Sequence, residues 1–497
     1  MRGCNRSLRW VVLSMAVVCT PALAESAAQL DPVIKKMMTE VSSERLEADV
    51  RTLVGFGTRQ TESATDHPTR GIGAARGWIQ AEFEKIAANT GGRMTVSLNS
   101  YTDAPPSRRI TKPVEIVNVV AMLKGTQPES VDRVYVVSGH YDSICSDPTD
   151  SECDAPGAND DASGVAAVLE AARVMSKYEF DATIVFAAVG AEEQGLYGSK
   201  HLAEGYKSKG TNIAGMLTND IVGNSLSQLG VRDDKHVRVF SEGVPEIETA
   251  EQARMRLATG SENDAPARQL ARYVADCCAG YVDGFDVELM FRRDRLMRGG
   301  DHTSFSRGGF PAVRVTEMNE DYRHQHQNVR TDDGVQYGDL PEFVDFDYLR
   351  NVTRTNVAAL ASLARAPARP DNVRIVLDKL DPRTTIAWDA NKENDLAGYE
   401  LVWRKTSAST WEGFEPVGKV AGRRRWSAQL RVPHHIQNRK LTQSDASERC
   451  FEIADARCPA PEPRKNLQHP DCQLLSQGLF FVHVSSVLLS VAATTLG

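Results

Sequence analysis

Between Val114 and Thr316 the chain alternates short, β-branched apolar runs with longer stretches whose apolar residues recur at helical spacing. Ile116–Leu123, Val134–Ser138, Thr183–Val189, Ile213–Leu217 and Ala312–Thr316 have the length and Val/Ile content of strands. Ala162–Tyr178, Gly198–Lys207 and Ala265–Ala275 read as helices between them. The alternation predicts an α/β domain with a mixed, mostly parallel central sheet covered by helices on both faces. Upstream, residues 30–56 and 72–88 read as amphipathic helices. Ile34, Met37, Met38 and Val41 mark the apolar stripe of the first, and Trp78, Ile79, Phe83 and Ile86 that of the second.

The two ends of the chain break this pattern. Arg2, Arg6 and Arg9 precede the apolar run Trp10–Cys19, and Pro21-Ala-Leu-Ala24 follows it. A basic segment, a short apolar segment and a small-residue site predict a secretory signal peptide over residues 1–24, cleaved after Ala24. The run is too short to span a bilayer comfortably, so no stable membrane span is expected in the mature protein. Near residue 365 the composition turns to linker, Ala366-Pro-Ala-Arg-Pro-Asp371. Val373–Leu377, Thr384–Trp388 and Tyr399–Arg404 then read as short strands with turn residues between them. Residues 365–430 resemble part of a fibronectin type III module, with Trp388 as its early core tryptophan. Residues 431–497 show no strand alternation, and the apolar end Leu479–Leu496 carries His483 and several Ser and Thr. The expected division is therefore a signal peptide (1–24), a main domain (25–364), a small β-sandwich-like module (365–430) and an irregular tail (431–497).

Composition narrows the class without deciding it. The 497 residues suffice for two or three domains, and a formal charge of −8 gives no reason to expect nucleic-acid binding. Seven of the nine cysteines lie beyond Ala24, in an export route that permits disulfides. Cys145 and Cys153 flank a polar loop and are placed to close it. Adjacent Cys277 and Cys278 are hard to bridge to each other, and no cysteine spacing matches a zinc-finger pattern. Nothing in the pattern reports an oligomeric state.

The run Thr183–Val189 leads directly into Gly-Ala-Glu192-Glu193. Two adjacent like charges at the end of a buried strand are unfavourable unless something positive sits beside them. Other acids and histidines fall at comparable places: His140 and Asp142 after one strand, the glycine-bracketed Asp160-Asp161 before a helix, Asp220 after another strand, and His324 and His326 in a later loop. In an open α/β sheet, ligands bind beyond the carboxyl ends of the strands. Imidazoles with carboxylates and no thiolate suit zinc, and less specifically manganese or cobalt. One catalytic zinc needs three protein ligands. Five candidates and a spare carboxylate point to two ions sharing a bridging acid.

The segments His140-Tyr-Asp142, Gly-Ala-Asn-Asp160-Asp-Ala-Ser-Gly, Gly-Ala-Glu192-Glu193-Gln-Gly-Leu-Tyr-Gly-Ser and Asn-Asp220 together resemble the di-zinc exopeptidases of metallopeptidase family twenty-eight, which includes bacterial leucyl aminopeptidase. The resemblance covers about residues 40–362. It implies that His140 and Asp220 hold one Zn2+, that Glu193 and His326 hold the other, and that Asp160 bridges both. It implies that Glu192 is the general base, taking a proton from the attacking water and passing it to the leaving amine. Asp142 would steady the His140 ring, and Asp301 and His302 would line the substrate pocket. The implied substrates are peptides, attacked at the N-terminal bond, with a weak preference for apolar residues.

Several alternatives stay open at this level. Asp160 could cap the following helix while Asp161 bridges. His324 or His302 could replace His326, because the family places an Asp four positions beyond the histidine, where Arg330 stands for His326 and Asn328 for His324. Glutaminyl cyclases share the fold with one zinc but cyclise instead of hydrolysing, and the intact Glu192–Ser199 segment looks like the hydrolase version. A binding protein on a degenerate peptidase fold would be expected to have lost ligands that this chain retains. The specificity loops should lie around residues 223–305, where Asp283, Asp286 and Arg292-Arg293 occur.

Overall fold

A computed structural model describes residues 30–428, except 103–107, 376–383, 394, 404–407, 410, 412 and 419–423. The signal segment and the tail therefore lie outside the described residues. Helices α1 (Pro32–Glu40), α2 (Ser43–Gly55) and α3 (Ile72–Ala87) come first. Asp31 and Ser42 cap the first two with side-chain oxygens on Val33 N and Arg45 N, satisfying amides that a helix start leaves free. Strands β1 (Met94–Tyr101), β2 (Ile116–Leu123) and β3 (Arg133–His140) follow, then a tight turn at Ala158–Ala162, α4 (Ser163–Met175) and β4 (Thr183–Val189). The domain continues through α5 (Tyr197–Ser208), β5 (Asn212–Asn219), β6 (His236–Ser241), α6 (Ala250–Thr259), α7 (Pro266–Tyr281), β7 (Asp286–Met290), α8 (His302–Gly308) and β8 (Ala312–Glu317). A small hairpin, β9 (Arg330–Asp332) and β10 (Val335–Tyr337), precedes the long helix α9 (Phe346–Arg365).

Eight strands form one sheet in the order β1-β2-β4-β3-β5-β8-β6-β7. The inner four, β4, β3, β5 and β8, are mutually parallel; β1 pairs antiparallel with β2, β2 with β4 and β6 with β8, while the edge strand β7 runs parallel to β6. Every residue of β3 and β4 is buried, as their unbroken apolar runs require of strands covered on both faces. One face carries α1 to α4, α7 and α9 over a core that includes Ile79, Phe83, Val137, Phe186 and Leu349. The other carries α5 and α8, with Leu202 and Phe305 against Val136 and Val189. Burying one such aliphatic side chain contributes roughly 1.5–3 kcal/mol. The rows of small and branched residues in α4, nearly all buried, let it sit close to the sheet. An added Cβ at Gly139 would lie 2.5 Å from the Gly164 carbonyl carbon, so helix and strand meet backbone to backbone just before His140.

The expected strands are present with small boundary shifts, and the mixed, mostly parallel α/β architecture holds. Beyond α9, two short sheets occur: β11 (Arg374–Ile375), β12 (Thr384–Trp388) and β15 (Arg424–Ala428) form one, and β13 (Tyr399–Trp403) and β14 (Gly413–Gly418) the other. Trp388 packs on Tyr399 with ring centroids 5.4 Å apart. Cys145 and Cys153 form a disulfide, while Cys277 and Cys278 are buried and free. Among the described residues, no helix is long and apolar enough to cross a membrane.

Candidate metal centre

Because the four inner strands run the same way, their carboxyl ends open onto one edge of the sheet, and the candidate residues arrive there together. His140 is the last residue of β3, Glu192 and Glu193 follow β4, and Asp220 follows β5. His326 comes from the loop after β8, and Asp160 from the turn before α4. Three of these segments place a non-glycine residue in the left-handed region: Ala191 (φ 58°), Ile221 (φ 60°) and His326 itself (φ 54°). Such conformations cost about 1–3 kcal/mol each and gather at functional sites.

The donor atoms form two groups that share one residue. His140, Asp160 and Asp220 converge within 4.8 Å of one another, and so do Asp160, Glu193 and His326. Asp160 Oδ1 is 3.1 Å from His140 Nε2, and its Oδ2 is 2.9 Å from His326 Nε2. His326 Nε2 is also 2.9 Å from Glu193 Oε1. Both of those last atoms are buried without a hydrogen bond of acceptable geometry. Buried polar atoms are nearly always satisfied. Lone pairs aimed at a common point, without hydrogen bonds, fit a cation of zinc's ligand chemistry.

Asp161 does different work. Its carboxylate accepts the N–H groups of His140 (2.9 Å), Gly164 (2.9 Å) and Ile221 (3.3 Å), tying β3, α4 and the segment after β5 together. Of the adjacent pair, Asp160 thus faces the histidines and Asp161 the backbone. His324 is likewise turned away: it stacks on Phe343 at 3.6 Å and lies 3.9 Å from Asp321 Oδ2. Arg330, four positions beyond His326, pairs with Asp332. His302 is buried against the Arg293 carbonyl, outside both donor groups, and Asp301 lies buried near His140 and Asp220.

Asp142 stands behind His140, with Oδ1 3.5 Å from the ring Nδ1. It also accepts the backbone N–H of Glu192 (3.1 Å) and of Glu193 (3.0 Å). One carboxylate therefore sets the imidazole and the turn that aims both glutamates. Glu193 is buried, whereas Glu192 is partly open to solvent.

Further residues position the centre without any sequence pattern having marked them. Asp339 accepts the N–H groups of Asn159 (2.9 Å) and Asp160 (2.7 Å). Arg59, fully buried, donates to the carbonyls of Tyr141, Pro156 and Gly157, joining the two donor loops. Gly157 adopts φ +52°, and a Cβ there would lie 2.7 Å from the Arg59 guanidinium, so the close approach needs glycine. A charged residue inside a largely apolar strand was the available signal for a third, Arg314 in β8. It lies 2.8 Å from Asp220 and 3.1 Å from Asp294.

The electrostatics follow from this crowding of acids. Burial works to raise the Asp160 carboxyl, but the close approach of the His140 and His326 imidazoles overrules it and holds it well below the usual range. Loss of water pushes Glu192 well above its ordinary value; the His140 charge opposes this, while Asp220, Glu193 and Asp301 add to it. Burial also raises Asp301, to about 7. Carboxylates that raise one another's proton affinity are the setting a cation relieves.

The sequence profile of Peptidase family M28 matches residues 118–337. A probable zinc metalloprotease of Pyrenophora teres f. teres (strain 0-1) is 49% identical over 392 residues, covering 78% of this chain and 80% of that protein. A probable zinc metalloprotease of Pyricularia oryzae (strain 70-15 / ATCC MYA-4617 / FGSC 8958) is 48% identical over 402 residues, 80% of each. The chain belongs to peptidase family M28. Among solved structures, LapB from Legionella pneumophila matches 67% of this chain and 75% of its own at 18% identity and a TM-score of 0.49. The glutaminyl cyclase of Porphyromonas gingivalis matches 64% of this chain and 98% of its own, with 18% identity and a TM-score of 0.43.

Proposed function

We propose that this chain is a zinc-dependent aminopeptidase that hydrolyses the N-terminal bond of peptides at a centre of two ions. The observation that carries the reading is the pair of donor groups sharing Asp160, with Glu192 beside them and in neither. In this reading His140, Asp160 and Asp220 hold one Zn2+, and Asp160, Glu193 and His326 hold the other. When bound, the ions would supply Lewis acidity, lowering the pKa of water and polarising the scissile carbonyl. Glu192 Oε then takes the proton of the attacking water and delivers it to the leaving amine. A base must stand within hydrogen-bond reach of that proton and titrate near the working pH, and both the partial exposure of Glu192 and its raised proton affinity suit the task. Asp142 holds the Glu192 and Glu193 amides, so base and ligand cannot drift apart. Asp301 and His302 are assigned to the pocket wall.

The same reading includes export after cleavage at Ala24, a catalytic domain over 25–364 and a partial fibronectin-like module over 365–430. The test is release of aniline from aminoacyl-anilides by the purified mature protein, before and after chelation, with a metal count on the same sample. Chelator-sensitive release with two equivalents of zinc is the expected result. No release by the metal-loaded protein sinks the aminopeptidase assignment. One equivalent, with cyclisation of N-terminal glutamine, moves the chain to the cyclase chemistry.

A further inference from the structure

Arg314 sits in the middle of β8 and is 1% exposed, where a strand normally carries an apolar side chain. Its Nη2 is 2.8 Å from Asp220 Oδ1, its Nη1 is 3.1 Å from Asp294 Oδ2, and Nη1 also donates to the Gly299 carbonyl. The Asp220 oxygen that meets the guanidinium is the same Oδ1 that faces His140 Nε2 at 3.9 Å. A Cβ at Gly300 would lie 3.0 Å from Arg314 Nη1 and 3.2 Å from Asp220 Oδ2, so the segment 299–300 closes tightly over the pair. In the other donor group, the shared Asp160 takes its further hydrogen bond from a neutral amide, Gln325 Nε2 at 3.1 Å. Glu193 pairs with His326.

We infer that Arg314 makes the two ion positions unequal, so that the ion at His140 and Asp220 is the weaker, exchangeable one and the ion at Glu193 and His326 the tighter. The inference rests on the two-ion reading above. A carboxylate oxygen already engaged by a guanidinium has less negative charge to offer a cation, and two positive centres on one oxygen repel at short range in a poorly solvated site. Arg314 is therefore a positioning residue with an energetic cost to its own ligand. Most outer partners of a ligand strengthen metal binding, and losing one typically lowers affinity ~10–100-fold. Arg314 acts with the opposite sign, which separates this role from a merely structural one.

Stepwise zinc titration of the metal-stripped full-length protein, followed by calorimetry, tests it. The wild type should bind two ions with affinities at least ~tenfold apart, the scale of one charge-assisted hydrogen bond. Arg314→Met should tighten the weaker ion by a similar factor and leave the tighter one unchanged. Arg314→Met combined with Asp294→Asn also neutralises the buried acid that loses Arg314 and keeps only Arg295 as a cationic partner, and should give the same result in a chain better able to fold. Arg314→Lys retains the charge and should retain the gap. Equal wild-type affinities, or a weaker ion that loosens further in Arg314→Met, overturn the inference while leaving the two-ion reading in place. A wild type that holds one ion while Arg314→Met holds two upholds the inference and corrects the stoichiometry. One ion in both overturns inference and reading together.

Discussion

Two acid-rich regions of this molecule behave in opposite ways. A cavity of about 720 Å³ lies between the start of α2, residues 224–226 and the segment 342–347, with Glu44, Glu47, Asp321, Glu342 and Asp345 in its wall. Its acids have ordinary partners: Arg323 on Asp321, Arg232 on Asp345, and Arg51 on Glu342. The acids of the donor centre instead meet histidines, and Glu193 and His326 keep buried atoms without hydrogen bonds. The comparison teaches that neither carboxylate count nor cavity size marks the chemistry. Convergence does: buried acids whose lone pairs share a point with imidazoles.

The sharpest way to break this contrast is Glu192→Gln. It should cut kcat by about 10²–10⁴-fold, the usual worth of a positioned base, with zinc content unchanged by elemental analysis. Unaltered turnover would return Glu192 to the class of bystander acids. Chelation comes next. Stripping zinc should abolish activity and lower the unfolding temperature, because an ion at a thousand times its Kd stabilises by ~4 kcal/mol, and zinc should restore both. An unfolding temperature indifferent to chelator would mean the convergent acids hold nothing. Asp142→Asn should lower zinc affinity ~10–100-fold, read by competition with a chromogenic chelator, because it weakens the grip on His140 and on the two glutamate amides.

Smaller effects sharpen the other side. Asp49 on α2 is an acid whose nearby arginines, Arg45 and Arg173, offset its burial only in part. Burial raises it to about 7, and Glu170 and Glu82 add to the rise. An acid whose folded pKa exceeds its unfolded value costs nothing below pH ~4 and a growing amount as pH climbs towards 7, levelling off above. Asp49→Asn should therefore raise the unfolding temperature at pH 8 and leave it alone at pH 4; an equal change at both would show a packing effect instead. The least change is expected from His324→Ala in the cavity wall. Removing its stack on Phe343 should cost ~0.5–1.5 kcal/mol of stability with kcat nearly intact, whereas His326→Ala should lose metal and activity together.

Much of the fold was readable because the inner strands are buried on both faces and so carry unbroken apolar stretches such as 134–137 and 184–189. Strand β1, Met94–Tyr101, went unread because it is an edge strand with half its residues facing water. Helix α9 went unread because its buried positions include Thr353, Thr355 and Asn356, which carry no apolar signature. His140, Asp160, Glu192, Glu193 and Asp220 were legible since each sits within a few residues of a strand or helix end, where local sequence is a guide to position.

The sequence by itself determined the strand–helix alternation, and hence the edge at which these residues had to gather. The tertiary structure decided which acid of Asp160-Asp161 faces the histidines, and it brought His326 rather than His324 to Glu193. It also recruited Asp339, Arg59 and Arg314 from distant positions. Those choices depend on the direction of side chains across separate strands and loops, and no local pattern records a direction that packing between distant segments imposes.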